Sequence, residues 1–116
     1  MKKVLVIDDE ENICTLYKEE LEEMGYEVTT ALSGEQALAA MNKDRFDVAT
    51  LDMRMTGMDG IETLRKMKEK DGNLPVIISS AYEGYKDDFG SWASEAYIVK
   101  TADTTGLRDA VKKILG

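Results

Sequence analysis

Five side chains that can bind metal ions or phosphate stand at the ends of four short apolar runs in this sequence. They are three carboxylates, one hydroxyl and one ammonium: Asp8, Asp9, Asp52, Ser80 and Lys100. A single Asp after an apolar run is usually a turn or cap residue. The recurrence of such groups at the same place in successive runs indicates a shared site instead.

This set of groups is suited to a hard cation and to phosphoryl transfer. Neighbouring carboxylates repel one another and favour a cation between them, and Lys100 offsets only one charge. Mg²⁺ fits, because it takes oxygen ligands, needs only one or two carboxylates and keeps several waters. The sequence has no histidine and one cysteine, so soft-metal sites and Ser-His or Cys-His catalysis lack their residues. Asp52, already ionised, would be the nucleophile, and Ser80 would hydrogen-bond to the phosphoryl group.

The apolar runs alternate with amphipathic segments, which predicts one α/β domain over residues 1–116. Strands are predicted at residues 4–7, 26–31, 46–51, 75–79 and 96–99, and a short fourth helix within residues 85–93. The long connections demand parallel pairing with right-handed crossovers, which gives a three-layer sandwich with helices on both faces of a five-stranded sheet. The alternating run YEVTTA suits an edge strand. Because carboxyl ends of parallel strands share one edge, the five groups should meet there.

Glycines and capping residues mark the helix boundaries. Gly25 should end the first helix. Ser33 and Asp59 each precede a Gln or Glu by three residues, which is the capping-box spacing for the second and third helices. Asp103 or Thr104 should cap the last helix.

Composition and charge narrow the function classes. The net charge is −8 and the basic residues alternate with acidic or apolar ones, which argues against a nucleic-acid surface. No apolar run approaches the roughly 18 residues of a membrane span, and the opening MKKVLVIDDEE is unlike a signal peptide. We therefore expect a cytoplasmic protein that binds neither nucleic acid nor membrane. Cys14, in an acidic helix, is expected to be structural.

Four segments, VLVIDDE, LDMRMTGMDG, VIISSAY and AYIVK, resemble in order and spacing the receiver domain of two-component response regulators. The resemblance implies a flavodoxin-like sheet of order 2-1-3-4-5. It implies that Asp52 accepts a phosphoryl group from a histidine kinase or a histidine phosphotransfer protein, in a Mg²⁺-dependent reaction. The implied metal ligands are Asp8, Asp9, Asp52 and the backbone carbonyl of Arg54. Ser80 and Lys100 would contact the phosphoryl group.

The resemblance also implies a regulatory switch rather than an enzyme, although such a domain catalyses its own phosphorylation and slow dephosphorylation. Ser80 would move toward the phosphoryl group and the Tyr97 ring would turn inward. The surface of the fourth helix, fifth strand and fifth helix would then change to control an output, and could pair two copies of the chain. Without the resemblance, Tyr97 would be interpreted as a partly buried strand aromatic.

Arg54 and Tyr82 match positions that influence the phosphoryl lifetime in this family. We hypothesise that both side chains lie over Asp52 and obstruct the water that would hydrolyse the phosphoryl group. Two prolines common in the family are replaced here by Thr56 and Thr101. A cis bond before a non-proline residue costs about 3 kcal/mol, so the 100–101 peptide should be trans.

Two other functions stay open at this point. One is a Mg²⁺-dependent phosphohydrolase of the haloacid dehalogenase class, although Arg54 stands where such enzymes usually have a second Asp. The other is a pseudo-receiver, an interaction module that keeps the fold without the reaction. The intact set of site residues argues against it, and the two missing prolines leave it open.

Overall fold

The structure is a computed structural model that describes residues 1–53, 60–80, 96–99 and 103–116, with the backbone alone at residues 96, 97 and 99. Its strands are β1 (Lys3–Ile7), β2 (Glu27–Ala31), β3 (Val48–Asp52), β4 (Val76–Ser80) and β5 (Ala96–Val99). They form one parallel sheet of order β2-β1-β3-β4-β5, which confirms the predicted sheet. The limits of β5 are the predicted ones, and those of the other four strands differ from the prediction by one or two residues at one or both ends. Asp52 and Ser80 are therefore the last residues of β3 and β4, and not the first residues after them.

The described ranges contain α1 (Glu11–Glu23), α2 (Gly34–Lys43), α3 (Gly60–Lys70) and a C-terminal helix (Thr105–Leu115). None of the helices in these ranges is both long enough and apolar enough to cross a membrane. The helix expected within residues 85–93 and the Asp59 cap lie outside the described residues.

Alternation along the strands separates two hydrophobic clusters, one on each face of the sheet. Val4 and Val6 of β1 belong to the cluster that includes α1 and the C-terminal helix. Leu5 and Ile7 belong to the cluster that includes α2 and α3. β3 and β4 are buried along their whole length, as expected for parallel strands covered by helices on both faces. The predicted three-layer sandwich is confirmed.

The strand predicted at a sheet edge lies there. β2 is one of the two outer strands and, unlike β3 and β4, contains exposed and partly exposed residues as well as buried ones. The turn before it depends on Gly25, whose φ is +94°. The Gly25 amide donates to the Glu22 carbonyl at 3.0 Å, and the Tyr26 amide donates to the Leu21 carbonyl at 3.2 Å. Glycine takes this positive φ without steric cost, so α1 ends where the sequence predicts.

Two of the predicted helix caps are present, each with a change in detail. The Ser33 hydroxyl accepts a hydrogen bond from the Gln36 amide at 3.1 Å, and the Gln36 side chain accepts from the Leu32 amide at 2.9 Å, not from that of Ser33. At the C-terminal helix the N-cap residue is Thr104, whose side chain makes no capping hydrogen bond. The Asp103 carboxylate just before it accepts from the Thr105 hydroxyl at 2.7 Å and from its amide at 3.0 Å. These hydrogen bonds to Thr105 hold the pKa of Asp103 below its usual value.

Replacing Ser33 with Ala should lower the free energy of unfolding by about 1 kcal/mol, because the Gln36 amide loses its acceptor at the start of α2. Urea unfolding followed by circular dichroism measures this loss. Ser33→Asp keeps an acceptor at the same position and should retain most of the stability. Equal losses in the two variants would contradict a capping role.

Candidate metal centre

Three carboxylates converge at the carboxyl edge of the sheet. Asp8, Asp9 and Asp52 each offer an oxygen atom, and these atoms lie within 4.8 Å of one another. Asp8 is 1% exposed and Asp52 is 3% exposed, whereas Asp9 is partly exposed. The cluster therefore has a buried base and one side that solvent reaches.

The pairing of β1 with β3 explains why these residues meet. Ile7 lies opposite Leu51 in the parallel ladder, so Asp8 and Asp52 are the next residues along two adjacent strands. The Asp8 amide donates to the Ala31 carbonyl at 3.0 Å, which ties this end of β1 to β2. An Asp8 carboxylate oxygen accepts from the Glu10 amide at 2.9 Å, and this bond stabilises the turn into α1.

The cluster suits a hard divalent cation. Several negative charges within a few ångströms, shielded from water on one side, repel one another strongly unless a positive charge stands among them. All three ligand groups are carboxylates, the type that Mg²⁺ and Ca²⁺ prefer. The single cysteine does not add a soft ligand, because its thiol donates to the backbone carbonyl of Asp8 at 3.2 Å. Cys14 is buried, and this contact agrees with the prediction that it is structural.

Ser80 lies at the same edge of the sheet. It ends β4, is fully buried and pairs with Val99 of β5. Its neighbour Ser79 is the register partner of Asp52. The described part of the site thus contains the three carboxylates and the predicted hydroxyl residue at adjacent strand ends.

Several predicted site residues lie outside the described residues. They are Arg54, Tyr82 and Lys100, together with Thr56, Thr101 and the 100–101 peptide. The backbone of Tyr97 belongs to β5 and pairs with Ile78, but its side chain is not described. The roles assigned to these residues stay predictions.

Sequence reasoning missed one buried pair beneath the site. The Tyr17 hydroxyl of α1 and the Ser79 hydroxyl of β4 are 3.2 Å apart, and both residues are 2% exposed. The sequence does contain a signal, since a Tyr on the inner stripe of a helix needs a polar partner for its hydroxyl. Ser79, which follows three aliphatic residues of β4, is such a partner.

Met53 and Gly60, which stand on either side of residues 54–59, pack tightly against each other. A methyl group built on Gly60, the first residue of α3, would lie 2.5 Å from the Met53 Cα and 2.8 Å from its carbonyl oxygen. A Cβ atom does not approach non-bonded atoms that closely, so only glycine fits here unless the Met53 backbone shifts. Gly60 thus allows α3 to start directly against the residue after Asp52.

The sequence model of the response regulator receiver domain family matches residues 4–112. With the sheet order and the acidic cluster, this match shows that the chain belongs to the response regulator receiver family. Sporulation initiation phosphotransferase F of Bacillus subtilis is 40% identical over an alignment 117 residues long, which covers 98% of this chain and 94% of that protein. The transcriptional regulatory protein ZraR of Escherichia coli is 35% identical over 114 residues, and the chain covers 26% of its length.

Solved structures agree with this assignment. The response regulator TrrA of Thermotoga maritima, in complex with Mg²⁺-BeF, matches with a TM-score of 0.91 and 41% identity, over 98% of this chain and 99% of that one. A chain from the complex of the histidine kinase ThkA with TrrA matches this chain with a TM-score of 0.90 and 41% identity. The match covers 100% of this chain and 100% of that one.

Gly60→Ala should lower the free energy of unfolding by about 1–3 kcal/mol, since the added methyl group forces the Met53 backbone away. Gly72→Ala is the matched control, because a methyl group there meets only the Lys68 carbonyl at 3.6 Å, an ordinary contact. Urea unfolding of both variants checks the difference. Equal stability of the two would contradict the close approach of Gly60 to Met53.

Proposed function

We propose that residues 1–116 form one receiver domain that acts as a phosphorylation-activated signalling switch. Asp52 accepts a phosphoryl group from a phosphohistidine partner in a Mg²⁺-dependent reaction. The observation that carries this proposal is the acidic cluster, in which Asp8, Asp9 and Asp52 place carboxylate oxygens within 4.8 Å of one another. Membership of the receiver family and the Mg²⁺-BeF complex of the 41% identical TrrA support it.

Asp8 and Asp9 hold the metal, with Asp52 and the backbone carbonyl of Arg54 as further ligands. Mg²⁺, when bound, offsets the negative charge of the cluster and of the incoming phosphoryl oxygens. Because Asp52 is nearly buried, few waters compete with the phosphoryl donor for its carboxylate.

An Asp52 carboxylate oxygen attacks the phosphorus atom of the phosphohistidine. The phosphorus–nitrogen bond breaks in line with the new bond, and its electron pair stays on the imidazole nitrogen of the partner. The Ser80 hydroxyl and the Lys100 ammonium bind the phosphoryl oxygens. The domain supplies the nucleophile and the charged groups, so it catalyses its own phosphorylation. Slow attack of water later releases phosphate and restores the Asp52 carboxylate.

The output of the switch is a change of surface. Ser80 moves toward the phosphoryl group, Tyr97 turns inward, and the face made by the fourth helix, β5 and the C-terminal helix is reshaped. This face binds the output partner or a second copy of the chain. Ser80 and Tyr97 are suited to such coupling, because their strands are adjacent in the sheet.

The phosphodonor is a histidine kinase or a histidine phosphotransfer protein. The complex of ThkA with TrrA supports a kinase as partner, because a chain of that complex matches this one along its whole length. We place the encounter in the cytoplasm, as the sequence suggests. The net charge of −8 leaves nucleic acid an unfavourable partner for this chain.

Incubation with acetyl phosphate and Mg²⁺ should add one phosphoryl group to Asp52, and Asp52→Asn should abolish the addition. Intact mass and site mapping measure the product, which should be acid-labile and sensitive to hydroxylamine. Asp109→Asn, which makes the same change at an exposed position of the C-terminal helix, is the matched control and should react like the wild type. Removing Mg²⁺ with EDTA should stop the reaction.

The outcomes of this experiment separate the candidate functions. An adduct on Asp52 that resists hydroxylamine, or none in the wild type, would overturn the proposal. Continuous release of phosphate from the donor with no accumulated adduct would indicate the phosphohydrolase. An intact fold without Mg²⁺ binding or adduct would indicate the pseudo-receiver.

Replacing both Arg54 and Tyr82 with Ala should shorten the phosphorylated lifetime several-fold, because water would reach the phosphorus atom in line more often. The decay of the phosphorylated form after removal of the donor measures this rate. A control variant, Arg45→Ala, alters an exposed arginine just before β3, at the amino end of that strand, and should leave the decay unchanged. The same decay rate in all three proteins would contradict the hypothesis that Arg54 and Tyr82 obstruct the hydrolytic water.

A further inference from the structure

A hydrogen bond between two buried hydroxyls joins α1 to β4 at Ser79, the register partner of Asp52. The Tyr17 and Ser79 oxygens are 3.2 Å apart and separated by 62 residues in sequence. Each residue is 2% exposed, so water does not compete for either hydroxyl. In this environment the pair holds the end of β4 at a defined distance from α1.

Ser79 is connected to Asp52 in two ways. The two residues are register partners in the β3–β4 ladder, so their Cα atoms are direct neighbours across the strands. In addition, the Ser79 carbonyl accepts a hydrogen bond from the Met53 amide at 3.4 Å. This amide belongs to the residue that follows Asp52. A displacement of Ser79 is therefore transmitted to the backbone on which the Asp52 carboxylate stands.

The same face of α1 also contacts the end of β1. Cys14 lies three residues before Tyr17 on this helix, and its thiol donates to the Asp8 carbonyl at 3.2 Å. β3 lies between β1 and β4 in the sheet. The inner face of α1 thus contacts the ends of the two strands that flank β3. Cys14 contacts Asp8, a member of the acidic cluster, and Tyr17 contacts Ser79, the register partner of Asp52.

We propose that the Tyr17 hydroxyl is a positioning group for the metal and phosphoryl site, and that it acts through Ser79 to set the place of Asp52 relative to Asp8. This inference rests on the function proposed above and adds residues that do not themselves touch the metal or the phosphoryl group. Mg²⁺ demands near-ideal octahedral geometry with ligand distances of about 2.0–2.1 Å. A shift of a few tenths of an ångström in one carboxylate therefore weakens binding, although the fold survives.

The test compares Mg²⁺ affinity in the wild type, Tyr17→Phe, Ser79→Ala and the double variant. Thermal unfolding at increasing Mg²⁺ concentration gives this affinity, because a ligand that binds only the folded state raises the melting temperature by an amount set by its dissociation constant. Each single variant should bind Mg²⁺ about tenfold more weakly, the lower end of the loss seen when groups behind metal ligands are removed. The double variant should bind no more weakly than the singles, because both changes remove the same contact.

The matched control is Tyr26→Phe, which removes a hydroxyl from a partly exposed tyrosine packed against the same hydrophobic cluster. It should keep wild-type Mg²⁺ affinity. Acetyl phosphate labelling of Asp52 provides a second readout, in which Tyr17→Phe should react several-fold more slowly at low Mg²⁺ and recover at high Mg²⁺. A purely structural hydroxyl would lower the melting temperature without metal and leave both readouts unchanged.

The results separate this inference from the function on which it rests. If the wild type binds Mg²⁺ and labels Asp52 while Tyr17→Phe and Ser79→Ala do so equally well, only the positioning role is wrong. If the wild type neither gains stability from Mg²⁺ nor labels Asp52, the proposed function fails and the positioning role fails with it. Losses in the two single variants that add fully in the double variant would also overturn the inference, because they would show that the residues act separately.

Discussion

Repulsion among the Asp8, Asp9 and Asp52 carboxylates is the interaction that the rest of this fold has to counter. Oxygen atoms of three acids lie within 4.8 Å, and two of these acids are almost completely shielded from solvent. Like charges at such distances would drive the strand ends apart if the backbone were free to move. The backbone is not free, since β1 and β3 are neighbours in a parallel sheet that is covered on both faces. Packing of the sheet holds the three carboxylates together against their repulsion, and a bound cation would relieve that repulsion.

The contacts around the cluster all limit the movement of the ends of β1, β3 and β4. The Glu10 amide fixes the Asp8 carboxylate, and Gly60 brings α3 against the backbone of Met53. Beneath them, Tyr17 and Ser79 connect α1 to β4. A rigid base of this kind is what an octahedral ion requires.

Much of the fold could be predicted because its signals are local. The alternation in YEVTTA marked the edge strand, Gly25 marked the end of α1, and Ser33 marked the start of α2, and all three features are present. The strand order was implied by family resemblance, since segment spacing does not specify which parallel strands are neighbours. The cap of the C-terminal helix was narrowed to two residues, and the structure shows Asp103 as the acceptor. That choice depended on a side-chain rotamer, which no sequence pattern encodes.

The sequence by itself determined the chemistry available to this protein and the edge at which it would be found. Carboxylates at strand ends and the absence of histidine point to a hard cation, and hydrophobic periodicity is enough to place strand ends, because burial on a sheet or helix face repeats at a fixed spacing along the chain. Only the tertiary structure decided how close the carboxylates come, and which buried hydroxyls meet behind them. Those facts depend on how α1 packs against β1 and β2 and reaches β4 through Tyr17. Packing brings together atoms such as the Tyr17 and Ser79 hydroxyls, 62 residues apart, and local sequence contains no measure of that distance.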